Sequence, residues 1–157
     1  MRRISATGLL LFLLTMTQVS CDKNMVYDTF LRTGDNTWEW DEPLDFRFTM
    51  EDTVQYHDIL LQLRHTTDYP MSNIYMFVRV EGPSGQAMTD TVNLVLAKKS
   101  GEWIGKGIGQ VRTIAYMYRK NTIFPTPGEY RISLEQAMRS PELPVTEAGV
   151  RIIRSTP

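Results

Sequence analysis

The sequence predicts an all-β chain, a single antiparallel β-sandwich of about eight strands with little helix. Three features of the chain carry that prediction. Apolar and polar residues alternate with a period of two in several segments between Asp45 and Leu134, the pattern of a sheet that buries one face. Turn-forming clusters punctuate those segments at Gly82-Pro83-Ser84-Gly85, Lys99-Ser100-Gly101 and Pro125-Thr126-Pro127-Gly128. The one helix-like stretch, Glu135-Gln136-Ala137-Met138-Arg139, is stopped by Pro141 and predicts a turn or less.

In chain order, Phe46, Phe48 and Met50 alternate with Asp45, Arg47 and Thr49, and Ile59, Leu61 and Leu63 with Leu60, Gln62 and Arg64. Each apolar set falls on one side of an extended chain. The run Asn73-Ile74-Tyr75-Met76-Phe77-Val78-Arg79-Val80 has large side chains on both faces and predicts a central strand. Thr91 to Leu96 and Glu129 to Leu134 repeat the two-residue period, and Val150-Arg151-Ile152-Ile153 supplies a last strand. No internal repeat or low-complexity segment interrupts the series.

The amino terminus has another character. Arg2 and Arg3 precede the apolar run Gly8-Leu9-Leu10-Leu11-Phe12-Leu13-Leu14, which gives way to small and polar residues up to Ser20. A fully apolar run this short cannot cross about 30 Å of hydrocarbon as a helix, so it reads as an export signal. Directly after it stands Cys21, the only cysteine of the chain. Val19-Ser20-Cys21 fits the end of a bacterial lipoprotein processing box, although Gln18 replaces the leucine usual at that position. The alternative is ordinary cleavage nearby and one free thiol; an odd cysteine in an exported chain needs a partner, and acylation supplies it. The expected organisation is a lipoprotein signal peptide over 1–20, a lipidated amino terminus and short tether over 21–25, and the β-sandwich over 26–157. Extended, the tether reaches at most about 17 Å, which keeps the folded body close to its membrane.

Lys and Arg number 17 against 18 Asp and Glu, and loss of Arg2 and Arg3 leaves the mature chain mildly acidic. No basic stripe argues for a nucleic-acid partner. The length is sufficient to bury a core without a disulfide or metal, and one cysteine can form neither a disulfide nor a thiolate cluster.

Most candidate chemistry reduces to structure. His57 and His65 are eight residues apart, about 26 Å along a strand, and read as surface or loop residues and not as ligands to one metal. Asp35, Glu39, Asp41, Glu42 and Asp45 lie in one segment that lacks the spacing of a helix-loop-helix calcium site and reads as a solvated acidic loop. Nothing places two carboxylates across a cleft as acid and base, so no catalytic residue, no metal ligand and no cofactor beyond the covalent lipid is expected. Gly105-Lys106-Gly107-Ile108-Gly109 resembles a phosphate loop, but strand-like sequence on both sides favours glycines at a bulge or edge where backbones approach closely. The aromatics Trp38, Trp40, Tyr116 and Tyr118 are the candidate contacts for a ligand or partner, with core or edge packing as the competing role. Two residues apart, Trp38 and Trp40 are expected to point the same way from an extended segment.

An ordered set of short motifs runs through the chain. It comprises Tyr27-Asp28, Trp38 before an acidic loop, Leu63-Arg64, Asp68-Tyr69-Pro70, Ser72-Asn73-Ile74, Pro83-Ser84-Gly85 and Asp90-Thr91. It continues through Gly105-Lys106-Gly107, Phe124-Pro125, Gly128-Glu129-Tyr130, Gln136-Ala137-Met138-Arg139 and Gly149-Val150-Arg151-Ile152. In this order the motifs resemble the gliding motility lipoprotein GldH family, and the resemblance implies a cell-envelope lipoprotein of Gram-negative gliding bacteria, a non-enzymatic component or assembly factor of a motility machinery that shares parts with type IX protein secretion. Its implied partners are the membrane, through the lipid on Cys21, and other envelope proteins. Asp22 and Lys23 are not the run of acids associated with surface export, so a periplasm-facing position is expected. The alternative function is a lipoprotein module that binds a glycan or peptide.

Overall fold

The computed structural model describes residues 23–155. The described residues form ten strands: β1 (Met25–Arg32), β2 (Trp38–Glu39), β3 (Leu44–Met50), β4 (His57–Thr66), β5 (Asn73–Glu81), β6 (Ala87–Val95), β7 (Val111–Thr122), β8 (Gly128–Gln136), β9 (Glu142–Leu143) and β10 (Val145–Arg154). They form two four-stranded sheets, β1-β10-β4-β7 and β3-β8-β5-β6, with a small ribbon β2-β9, and all pairings are antiparallel. The expected count of about eight matches the eight long strands: the six segments read from sequence are β3, β4, β5, β6, β8 and β10, β1 and β7 join them without having been placed, and β2 and β9 are short additions. Glu135 and Gln136 finish β8, so the helix-like stretch is a strand end followed by a bend. Among the described residues the only helical element is a 3-10 turn at Gly34–Asn36.

One core lies between the sheets. Phe46, Phe48 and Met50 of β3 and Ile74, Met76 and Val78 of β5 meet Ile59, Leu61 and Leu63 of β4 and Ala148, Val150 and Ile152 of β10. Each large aliphatic side chain buried this way contributes about 1.5–3 kcal/mol relative to exposure. A one-residue slip of any of these strands would turn its whole apolar set outward, which fixes the register. As expected, β5 is central, paired with β6 on one side and β8 on the other.

The long strands alternate direction, so their connections collect at two ends. The proximal end holds Lys23, Ser155 and the loops 51–56, 82–86 and 123–127; the distal end holds the loops 33–43, 67–72, 96–110 and 137–144. Aromatic rings plug both. Proximally, Phe48 packs on Tyr27, Phe124 and Tyr130 at centroid distances of 5.4, 5.6 and 5.9 Å. Distally, Trp38 is fully buried and Trp103 meets His65 at 4.7 Å.

His57 and His65 correct the expectation of surface or loop positions. Both are buried, one at each end of β4. They share the odd-numbered phase of Ile59, Leu61 and Leu63, which faces the core.

Candidate functional site

The four aromatic candidates separate into two places. Trp38 lies in β2, paired with Leu143 of β9, and its indole N–H donates to the Glu42 carbonyl at 2.9 Å. That bond satisfies the polar end of an otherwise apolar plug. Trp40 is 58% exposed. The expectation that the two indoles point the same way is overturned because β2 ends at Glu39 and the chain turns, with the Glu42 N–H donating to the Glu39 carbonyl. Trp38 is a core residue; Trp40 stands at the distal end in solvent.

Tyr116 and Tyr118 lie together on β7 and line a shallow cleft with Asp90, Thr91 and Asn93 of β6. These strands are edges of different sheets, on the same side of the sandwich. The Tyr118 hydroxyl donates to Asp90 Oδ2 at 2.5 Å, and Arg119 Nη2 reaches the same oxygen at 2.6 Å. Both bonds hold the Asp90 carboxyl below its ordinary range. Burial and the Asp90 contact push the Tyr118 phenol up to about 12. Tyr118 is thus a structural clamp, while the Tyr116 ring stays exposed beside it.

The two histidines pack in rings. His57 contacts Phe124 at 5.6 Å, and His65 contacts Tyr69 at 5.6 Å and Trp103 at 4.7 Å. The Thr66 carbonyl can only accept, so the His65 Nδ1 at 2.9 Å carries the proton. Burial lowers both imidazole pKa values, which keeps them neutral near pH 7. Among the described residues, no group of three His, Cys, Asp or Glu side chains is arranged to hold a metal ion.

The glycine segment behaves as a close backbone approach. Lys106 and Thr113 exchange two backbone hydrogen bonds at 2.9 and 2.8 Å. A Cβ on Gly107 would come within 2.1 Å of the Val111 carbonyl oxygen, and one on Gly105 within 3.0 Å of that of Thr113. Glycine is required for the hairpin, whose tip raises Ile108 to 98% exposure at the distal end.

Several exposed apolar residues escape the reading from sequence. Tyr75 and Phe77 stand on the outer face of β5; the two-faced pattern of that strand was their only signal. At the proximal end Val54, Tyr56 and Ile123 are 80%, 50% and 40% exposed. Ile123 also borders an apolar cleft of about 320 Å³ lined by Ile59, Val80, Met88, Phe124 and Tyr130. Cys21 and the expected signal segment lie outside the described residues.

The family model of the GldH lipoprotein matches residues 25–152. A relative from Christiangramia forsetii, the gliding motility lipoprotein GldH homolog, is 31% identical, covering 96% of this chain and 98% of its own. The gliding motility lipoprotein GldH of Flavobacterium johnsoniae is 30% identical over 96% of this chain and 97% of its own. Among solved structures, the infectious bursal disease virus VP2 subviral particle is matched at a TM-score of 0.38 and 11% identity, covering 86% of this chain and 34% of that one. With the match running from the first residue of β1 into β10, the chain belongs to the GldH lipoprotein family.

Proposed function

We propose that this protein is a lipid-anchored, non-enzymatic component or assembly factor of the envelope machinery for gliding motility and the associated type IX secretion. The observation that carries the reading is the family match over 25–152, which takes in every strand from β1 into β10. Relatives named for gliding motility, aligned over nearly their whole length, support the process.

The anchor is the lipid on Cys21, in a membrane facing the periplasm. Two or three acyl chains at about 0.8 kcal/mol per buried methylene hold such a body on a bilayer. Lys23 already belongs to the proximal end, where its carbonyl accepts from Arg154 Nη1 at 2.7 Å. The tether therefore leaves from that end, and the Trp40 and Ile108 tips project from the other. A body tied down at one end with apolar tips at the other suits a protein that bridges its membrane to other envelope proteins.

Deletion of the gene, with surface spreading and protein secretion scored in parallel, tests the process: both are expected to fail, and loss of neither overturns the assignment. Cys21→Ser is expected to give an unprocessed or soluble, mislocalised product, and mass spectrometry of the native amino terminus reads the acyl mass directly.

A further inference from the structure

The proximal end carries more than the tether. His57 pairs with Thr122 at the last rung of the β4–β7 ladder, so Tyr56 and Ile123 leave the sheet beside one another. The 51–56 loop that precedes Tyr56 is built, not slack. The Asp52 carboxylate accepts from the backbone N–H groups of Val54 and Gln55, each at 3.0 Å, and this turn holds the Val54 side chain outward at 80% exposure. Tyr56 is tied down through its carbonyl, which accepts from the Ser155 N–H at 2.8 Å. Ile123 is followed by Phe124, which is buried against Phe48 and Tyr130. Three exposed side chains, two aliphatic and one phenolic, thus project on fixed backbone from the end where the described chain begins.

From these placements we infer that the proximal end is itself a membrane-docking surface, with Val54, Tyr56 and Ile123 seated in the headgroup region of the bilayer that holds the anchor. The inference rests on lipidation of Cys21. Cys21 stands only two residues before Lys23, a reach of about 7 Å, so an acylated Cys21 brings this end and no other to the lipid surface. Aliphatic tips with a tyrosine are the composition that partitions into an interface, the ring spanning from apolar to wet. Charges of both signs lie at the same end of the sandwich: Lys23, Lys120 and Arg154 against Glu51, Asp52 and Asp58. Docking should therefore depend on apolar insertion and little on anionic lipid. In place of a body swinging on its tether, the sandwich stands on end with its long axis near the membrane normal and its distal loops farthest from lipid.

The test uses the full lipidated chain reconstituted into phosphatidylethanolamine vesicles, with and without phosphatidylglycerol, carrying a nitroxide on the upper acyl chain. Val54→Cys, Ile123→Cys and, as the distal control, Ile108→Cys are each labelled with a small fluorophore; acylation of Cys21 leaves the new thiol as the only reactive one. The expected result is loss of emission at positions 54 and 123, none at 108, and the same pattern in both lipid mixtures. Chains that float with the vesicles but are quenched equally at 108, or at none of the three positions, overturn the docking and leave the anchor standing. Chains that do not float, or that label at Cys21, overturn the anchor and the docking together. Val54→Asp with Ile123→Asp supplies an independent measure: vesicle flotation should persist while quenching of a label at Tyr56→Cys falls away, and persistence of that quenching counts against the inference.

Discussion

At the scale of single residues, His57 and His65 make stability depend on pH in a narrow window. Burial lowers both imidazole pKa values from 6.5. Above about pH 6.5 the folded and unfolded chains both hold these rings neutral, and the stability is full. As pH falls through the unfolded value, the unfolded rings take up protons that the folded ones refuse, and stability declines until the lower folded values are reached. Carboxylates with depressed values, such as Asp90, act only in more acid solution. Urea unfolding is therefore expected to show a lower midpoint at about pH 5.5 than at about pH 7.5, with little change in slope. The paired substitution His57→Phe and His65→Phe, which keeps a ring in each aromatic cluster, should shrink that difference; an undiminished pH dependence in the variant would assign it elsewhere.

Among the elements, the edges of the sandwich need their own fastening, and the Tyr118–Asp90–Arg119 group supplies it. Asp90 sits on the β6 edge of one sheet and Tyr118 and Arg119 on the β7 edge of the other. A hydrogen bond of this kind contributes about 0.5–1.5 kcal/mol, and the partial exposure of Asp90 and Arg119 places the pair toward the lower figure. Tyr118→Phe and Asp90→Asn should each destabilise, and the double variant should lose less than the sum of the two. Strict additivity in equilibrium denaturation would mean that the edges are held by packing alone. The clamp was invisible in sequence because its partners are 28 residues apart and no local pattern ties them. The strands were legible where one face is buried and the other wet, as in β3, where Phe46, Phe48 and Met50 are buried between exposed Asp45, Arg47 and Thr49. In β7 the alternation is lost, because it is an edge strand and its ladder with β4 carries register shifts between His57 and Leu60. The β2–β9 ribbon joins two-residue strands that no local signal marks, and without it the opposite fates of Trp38 and Trp40 could not be read. The histidines were legible in principle: the phase of Ile59, Leu61 and Leu63 extends to both, and only the polarity of the imidazole argued otherwise.

Across the whole molecule, polarity from end to end follows from topology. Of the connections between long strands only β5–β6 stays within one sheet, closed by Gly82-Pro83-Ser84-Gly85; the others cross between sheets. Neither sheet is therefore a contiguous piece of chain, and the two ends are fixed relative to one another through a shared core. In the reading proposed for this protein the proximal end belongs to the membrane, which leaves the distal tips to other envelope proteins. Trp40 is the exposed large aromatic of that end, the type that dominates protein interfaces, and Ile108 is held out by a hairpin that only glycine permits. Trp40→Ala with Ile108→Asp is expected to leave the melting temperature near that of the parent, since exposed substitutions stay within about 0.5 kcal/mol, and to leave membrane fractionation unchanged. Surface spreading and co-purification of envelope proteins should fall. Trp38→Ala is the contrast, because deleting a buried indole costs about 3–5 kcal/mol and any loss of motility there should track loss of folded protein. If the distal double variant spreads and co-purifies as the parent does, the partner surface lies elsewhere, and the exposed Tyr75 and Phe77 on the outer face of β5 become the place to substitute next.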